Sequence, residues 1–526
     1  MSRIRVLMLV CVVGAVSVLA PSPVRADAEP ASVFGDHMVL QRGRRVAVWG
    51  WAEPGESVTV RFAGQSAETE ADQFGRWQVH LEPMEASEEG RVLEVEANNT
   101  VRLEDVLVGD NWLCSGQSNM EWPTGNVMRA KAEIAGAKHP RIRLFNVRGH
   151  LTSPLRRERV PGQWTVCSPQ AVRGFSAVGY FFGRRLHEAT GVPIGLIGSN
   201  WGGTRIEPWT PPEGFRRVPE LKRIARKIDR VDPRAEAGRE RWEAYLEQIE
   251  GWLPRARKAL EAGVLLPGRP DAPGFGDRRQ PTAIYNAMIH PLVPFGLQGA
   301  IWYQGEANGG EGMSYFFKMR ALIEGWREVF ANEELEFYYV QLANWRQPTD
   351  DPAGGGGWSR IREAQRAALR IPRTGMAVTI DIGNAEDIHP RNKQDVGARL
   401  ARWALRDVYG EQIVVSGPLY KSHEVEGDRI RVHFDHVGSG LMVARKEGLE
   451  SPTPLPDASP EHFAIAGAEG KWHWAEAKID GETVVVWSEE VEKPTAVRYA
   501  YAMNPAKANL YNKEGLPAAP FRAGGE

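Results

Sequence analysis

Ser118 lies in the stretch WLCSGQSNMEWP, between Gln117 and Asn119 and directly after an apolar run. A serine hydroxyl is a poor nucleophile near neutral pH. It needs a base within hydrogen-bond reach, an acid to orient that base, and preorganised N–H donors for the oxyanion that forms on the acyl carbon. Gly116 permits a tight turn before the serine, and Asn119 could hold that turn by hydrogen bonds. The Gly-x-Ser-x-Gly elbow of the α/β-hydrolases is absent. Taken alone, the stretch reads more simply as a polar turn.

Other segments supply the missing parts. In DIGNAEDIHPRNKQDVGARLA, residues 381–401, His389 follows a strand and precedes a helix that begins near Asn392. Asp387 and Glu386 stand two and three residues before it. Of the competing bases, His187 falls within a helix and His290 within YNAMIHPL, while His433, His436 and His473 belong to the C-terminal β region. GSNWGGTRIEPW, residues 198–209, ends an apolar strand, and Gly202 and Gly203 could bring a backbone N–H to an acyl oxygen. IWYQGEAN, residues 301–308, ends another. There Gln304 offers an amide donor, and Glu306 and Asn308 add polar reach. A plain glycine turn and a loop-stabilising polar network are the competing readings of these two blocks.

The elements that must hold these residues follow from periodicity. From about Glu104 to Gly410, short apolar runs alternate with helical segments such as SAVGYFFGRRLHEAT and YFFKMRALIEGWREVF. Several strands are apolar throughout, which implies a parallel sheet covered on both faces. Sites in such sheets collect beyond the carboxyl ends of the strands. A helical insertion is expected over about 211–263, with Leu221, Ile224, Ala225 and Ile228 on one face and Trp242, Tyr245, Leu246 and Ile249 on another. The glycine run in DDPAGGGGW lacks the Lys-Ser/Thr ending of a phosphate cradle. Alternating apolar and polar residues predict β modules over 27–105 and 413–526, flanking a central domain over 106–412.

Composition narrows the function classes. The 526 residues are 42% hydrophobic and 25% charged, with a formal net charge of −2. A phosphate-binding surface would leave a basic excess, so nothing favours nucleic acid as a partner. The 18 tryptophans are expected mainly in the core, with a few available to stack on sugars. Arg3 and Arg5, the apolar run Val6 to Ala20, and Val24 and Ala26 at cleavage-site spacing predict a signal peptide over 1–26 and export to the periplasm or beyond. No later segment is long and apolar enough for a membrane span. Cys11 lies in the signal. Cys114 and Cys167 remain, as a disulfide or as two buried thiols, and no cysteine or histidine spacing predicts a metal.

Taken in order, GQSNM, NWGGTRIEPW, WYQGEAN and DIHPRNKQDVGARLA resemble the signature blocks of the SGNH-hydrolase superfamily, and more narrowly of the sialate O-acetylesterase family of carbohydrate esterases. VFGDHMVLQR, FSAVGYFFGRRL, YNAMIHPL and ANLYNKEGLPAAPFR extend the similarity over nearly all of the chain after the signal. The resemblance implies a three-layer α/β/α, flavodoxin-like domain with accessory N- and C-terminal β-sandwich-like modules. It implies serine esterase chemistry, without metal or cofactor, that removes O-acetyl groups from sugars. Ser118 carries over as nucleophile and His389 as base. The Ser118 N–H, Gly202, Gly203 and Gln304 carry over as oxyanion donors, although the wider superfamily has an asparagine in its third block. Its acid stands three residues before the histidine, where this chain has Glu386. Asp387 is nearer and is preferred here, and a Ser–His dyad is the alternative. Arg205 could face a sugar carboxylate or pair with Glu207. Trp201 and Asn308, with Trp122 and Trp302, could line a sugar site. The substrate is then an O-acetylated sialic acid or an acetylated plant or algal polysaccharide such as xylan. A carbohydrate-binding protein without catalysis is the remaining alternative.

Overall fold

The computed structural model describes residues 27–525, and the segment read as an export signal lies outside them. Seven strands form the central sheet: β1 Thr100–Gly116, β2 His139–Asn146, β3 Trp164–Cys167, β4 Ile194–Asn200, β5 Gly299–Tyr303, β6 Glu336–Val340 and β7 Thr374–Ala377. Their order is β3-β2-β4-β1-β5-β6-β7. Neighbours pair in parallel except β3 with β2. β1 runs through the middle of the sheet and is apolar or buried from Val106 onward. Its earlier half pairs with Ser87–Glu96 and, in parallel, with Val39–Gln41. One strand is therefore shared by the N-terminal β region and the central sheet.

The helices used below are α1 Ser118–Glu121, α2 Ala177–Thr190, α3 Lys222–Asp229, α4 Glu236–Glu261, α5 Ser314–Val329, α6 Gly357–Ala367 and α7 Lys393–Asp407. Side chains alternate faces along a strand, and the packing follows this rule. Trp112 of β1 meets Phe182 of α2 edge-on, with ring centroids 4.9 Å apart. Cys114 shares that face, and a Cβ at Gly179 of α2 would lie 2.8 Å from its sulfur, so the helix can come this close only with glycine there. Trp302 of β5 is in register with Ser115, on the alternate face, and meets Trp326 of α5 at 5.9 Å. α7 packs beside α2. Asn392 caps α7 by accepting from the Asp395 N–H at 3.0 Å. A sharp N-cap three residues after His389 fixes where that loop must end.

Cys114 and Cys167 are separate, free and buried. Burial pushes the Cys167 thiol up to about 12 and the Cys114 thiol higher still, so both stay protonated. Trp112, Trp209, Trp302 and Trp326 are fully buried. Trp302 is thus a core residue and does not floor a sugar site.

The segment after β4 forms Pro212–Arg217, α3 and α4. Leu221, Ala225 and Ile228 bury against Phe215 and Phe275. Along α4 the expected apolar face is only partly covered, because Leu246 is exposed. In the C-terminal region, an antiparallel sheet of Leu419–Glu426, Arg429–Asp435, Thr483–Trp487 and Glu476–Asp480 and a second of Trp472–Trp474, Phe463–Ala466, Ala496–Tyr499 and Phe521–Gly524 enclose their own core. Arg362 of α6, wholly buried, ties this region to the central sheet by donating to the carbonyls of Leu342, Ala343, Ala502 and Met503.

Candidate active site

Ser118 is the first residue of α1 and is separated by Gln117 alone from β1, which ends at Gly116. Gly116 has φ +144°, and a Cβ there would lie 2.3 Å from the Tyr303 carbonyl oxygen. Only glycine fits this approach. The Gln117 N–H donates to that carbonyl at 3.0 Å, and the Trp201 N–H donates to the Gly116 carbonyl at 3.1 Å. The carboxyl ends of β1, β4 and β5 are stitched together directly beneath the serine.

The Ser118 hydroxyl lies 2.9 Å from Nε2 of His389. Asp387 Oδ1 accepts the His389 backbone N–H at 2.8 Å and lies 3.4 Å from Nδ1 of the ring. A carboxylate on the Nδ1 side favours the tautomer that leaves Nε2 free to accept. Trp122 stacks on the imidazole with centroids 5.0 Å apart. Partial burial lowers the His389 pKa below the ordinary 6.5; the nearby Lys393 adds to this and Asp387 opposes it. The ring is therefore neutral at neutral pH and competent as a base. Glu386 is exposed and accepts from Gln347 Nε2 at 2.5 Å, away from the ring. The competing histidines are engaged elsewhere: His187 with the Val192 carbonyl, His290 with the Arg157 carbonyl, and His473 with Glu490. Asp387→Asn should lower kcat by roughly a hundredfold or more, and should move the acid limb of the pH profile further to acid because an anion that raises the His389 pKa is lost. Glu386→Gln should stay near wild type in the same assay.

Gly202 lies against the serine, since a Cβ on it would be 3.2 Å from Ser118 Cβ. Its N–H donates to Glu121 Oε2 at 2.7 Å. His150 donates from Nε2 to the other oxygen of Glu121 at 2.6 Å and stacks on Trp201, 4.8 Å away and 4° from parallel. Gly203, at φ +70°, is exposed.

Two assignments from sequence change, and for a third, Arg205, the structure bears out the expected pairing with Glu207. Gln304 is wholly buried, and its amide nitrogen faces the Asn308 Oδ1 at 2.8 Å and the Gln117 Oε1 and Thr204 carbonyl at 3.1 Å each. Tyr315 donates to its oxygen at 2.7 Å. With both hydrogens engaged in the core, Gln304 joins three blocks and presents nothing to an oxyanion. Asn308 is equally buried. It donates to Glu207 and Glu311 and accepts from the Ile206 N–H, so it faces the framework and not a substrate. Arg205 pairs with Glu207 and Glu311, which also share Lys318. Its charge is neutralised within the fold. Trp201 and Trp122 remain half-buried beside the serine.

Three residues at the site were not identified from sequence. Glu121 lies within the serine block and Lys393 within the histidine block. His150 has no local signal, because its partners are Glu121 and Trp201, far from it in the chain. Among the described residues, no group of three or more His, Cys, Asp or Glu side chains is arranged to hold a metal.

A serine, a neutral histidine and a carboxylate gathered at the carboxyl ends of a parallel sheet define an arrangement suited to ester hydrolysis. The family described as carbohydrate esterase, sialic acid-specific acetylesterase, matches residues 108–235 and 277–406. Sialate O-acetylesterase of Mus musculus is 31% identical over 434 residues, covering 75% of this chain and 76% of that protein. Sialate O-acetylesterase of Homo sapiens is 30% identical over 545 residues, covering 94% and 92%. The crystal structure of a carbohydrate acetylesterase from Xanthomonas citri superimposes with a TM-score of 0.77 at 36% identity, covering 94% of this chain and 99% of that one. The chain belongs to the sialate O-acetylesterase family of carbohydrate esterases, and it is a carboxylic ester hydrolase.

Proposed function

We propose that the protein is an exported serine esterase that removes O-acetyl groups from sugars through an acetyl-enzyme on Ser118. The observation that carries this reading is the 2.9 Å contact between the Ser118 hydroxyl and His389 Nε2 at the strand ends. His389 takes the hydroxyl proton as the oxygen attacks the acetyl carbonyl. Asp387 steadies the imidazolium. The protonated ring then donates to the departing sugar hydroxyl, and water hydrolyses the acetyl-enzyme by the same route. The Ser118 N–H is the first oxyanion donor. Gly202 is the second once the Glu121 carboxylate, already held by His150, releases its N–H. In this reading the central domain over 106–412 is a three-layer α/β/α domain of SGNH type, flanked by β modules over 27–105 and 413–526. The basic and apolar pattern of residues 1–26 supports export.

The relatives' names point to O-acetylated sialic acid. One observation favours a second reading, an acetylated neutral polysaccharide such as xylan: Arg205, the cation within the glycine block, is already paired with two carboxylates. An acetate-release screen over O-acetylated sialic acids and acetylated xylo-oligosaccharides separates them. Faster release from the sialic acids supports the first reading, and release from the xylo-oligosaccharides alone supports the second. Sugar binding with no acetate release from any substrate would contradict both.

A further inference from the structure

Asn119, next to the nucleophile, joins three other parts of the site. Its side-chain nitrogen donates to Glu306 Oε1 at 2.6 Å and to the Ile388 carbonyl at 3.1 Å. Its oxygen accepts from Lys393 Nζ. An ammonium only donates and a backbone carbonyl only accepts, so these partners fix which way the amide faces. Glu306 comes from the turn after β5, Ile388 immediately precedes His389, and Lys393 begins α7. Asn119 is 2% exposed and Lys393 0%. A buried lysine is costly unless it is placed to interact, and this one has no direct ion pair within 4 Å among the described residues. The groups facing it are the Glu306 and Asp387 carboxylates, the His389 ring, and the faces of Trp122 and Tyr303, at 5.9 and 5.3 Å. Trp122 in turn backs the His389 ring.

We propose that Asn119 and Lys393 form one positioning unit for the reaction: Asn119 ties the Ser118 turn to the His389 loop, and the Lys393 ammonium holds Asn119 in the orientation that does so. Neither touches the reacting atoms. Their effect is on the distance and angle between the hydroxyl and Nε2, where an error of about 1 Å costs on the order of a hundredfold in rate. Burial draws Lys393 down to about 7 against the attraction of Glu306 and Asp387. When it is protonated, its charge disfavours the imidazolium and so helps keep that ring neutral.

The proposal rests on Ser118 and His389 being the working pair, and one assay separates the two claims. Wild type, Ser118→Ala, Asn119→Asp, Lys393→Met and the Asn119→Asp/Lys393→Met double variant are compared on an activated acetyl ester across pH. Thermal unfolding confirms that each is folded, and Asn119→Ser stands in if the aspartate variant does not fold. Asn119→Asp turns an oxygen toward the Ile388 carbonyl. It should lower kcat by about a hundredfold, with KM within about threefold. Lys393→Met should lose a similar amount and move the acid limb of kcat/KM upward by about 0.5 to 1 unit, because a cation that depresses His389 is gone. The double variant should lose little more than the worse single one. If Ser118→Ala is inactive while the Asn119 and Lys393 variants stay within about threefold of wild type with an unmoved acid limb, the positioning unit is wrong. A lowered melting temperature with an unchanged pH profile also overturns it, because that is a structural role alone. If Ser118→Ala keeps full rate, the catalytic pair is wrong and the proposal falls with it.

Discussion

Ser118→Ala should lower kcat for an activated acetyl ester by roughly ten-thousandfold or more while leaving the fold intact. The magnitude follows from what is lost. The Ser118 hydroxyl is the group hydrogen-bonded to His389 Nε2, and the half-buried side chain makes no other hydrogen bond among the described residues. Stability should therefore change by no more than about 0.5 kcal/mol, and the rate loss reads out chemistry. Measurement needs steady-state kinetics beside a thermal melt. A variant within tenfold of wild type would mean that another group attacks the ester.

His389→Ala should produce a loss of similar size, again roughly ten-thousandfold, and should remove the acid limb of the pH profile. The sign follows from the base's protonation. In the proposed mechanism His389 accepts the serine proton only when neutral, so kcat/KM in the wild type should fall as pH drops through the ring's pKa. Burial and Lys393 hold that pKa below 6.5, and Asp387 raises it without overcoming them. The limb should accordingly lie on the acid side of 6.5. A limb well above this value would place the controlling proton on another group. Added imidazole should restore part of the activity of His389→Ala, because the space beside Ser118 and Trp122 then admits the free base.

What could be read from sequence had a local signature. Uniformly apolar runs such as those of β5 and β6 are recognisable as buried parallel strands, and their ends locate the polar blocks. Ser118 stands out because it directly follows such a strand, and His389 because it lies between the last strand and α7. The join between the N-terminal β region and the central sheet was hidden, because VRLEDV reads as an alternating edge strand while DVLVGDNWLCS reads as the start of a new one. The structure makes them one continuous β1. Gln304 and Asn308 were misread for a different reason. A polar residue after a strand looks the same whether it turns toward the cleft or into the core, and Tyr315, Thr204 and Glu207, distant in sequence, decide the matter. Lys393 was hidden by its type, since a lysine at a helix start is usually solvated. Its burial depends on Asn119, Glu306 and the rings of Trp122 and Tyr303, from two other segments.

The central claim is that Ser118 forms the covalent bond. A phosphonate ester that imitates the tetrahedral intermediate, followed by peptide mass mapping, tests it directly. The expected result is one adduct per chain on the peptide carrying Ser118, formed in step with loss of esterase activity and greatly slowed in His389→Ala. Loss of activity with the adduct on another residue, or with none at Ser118, would contradict it.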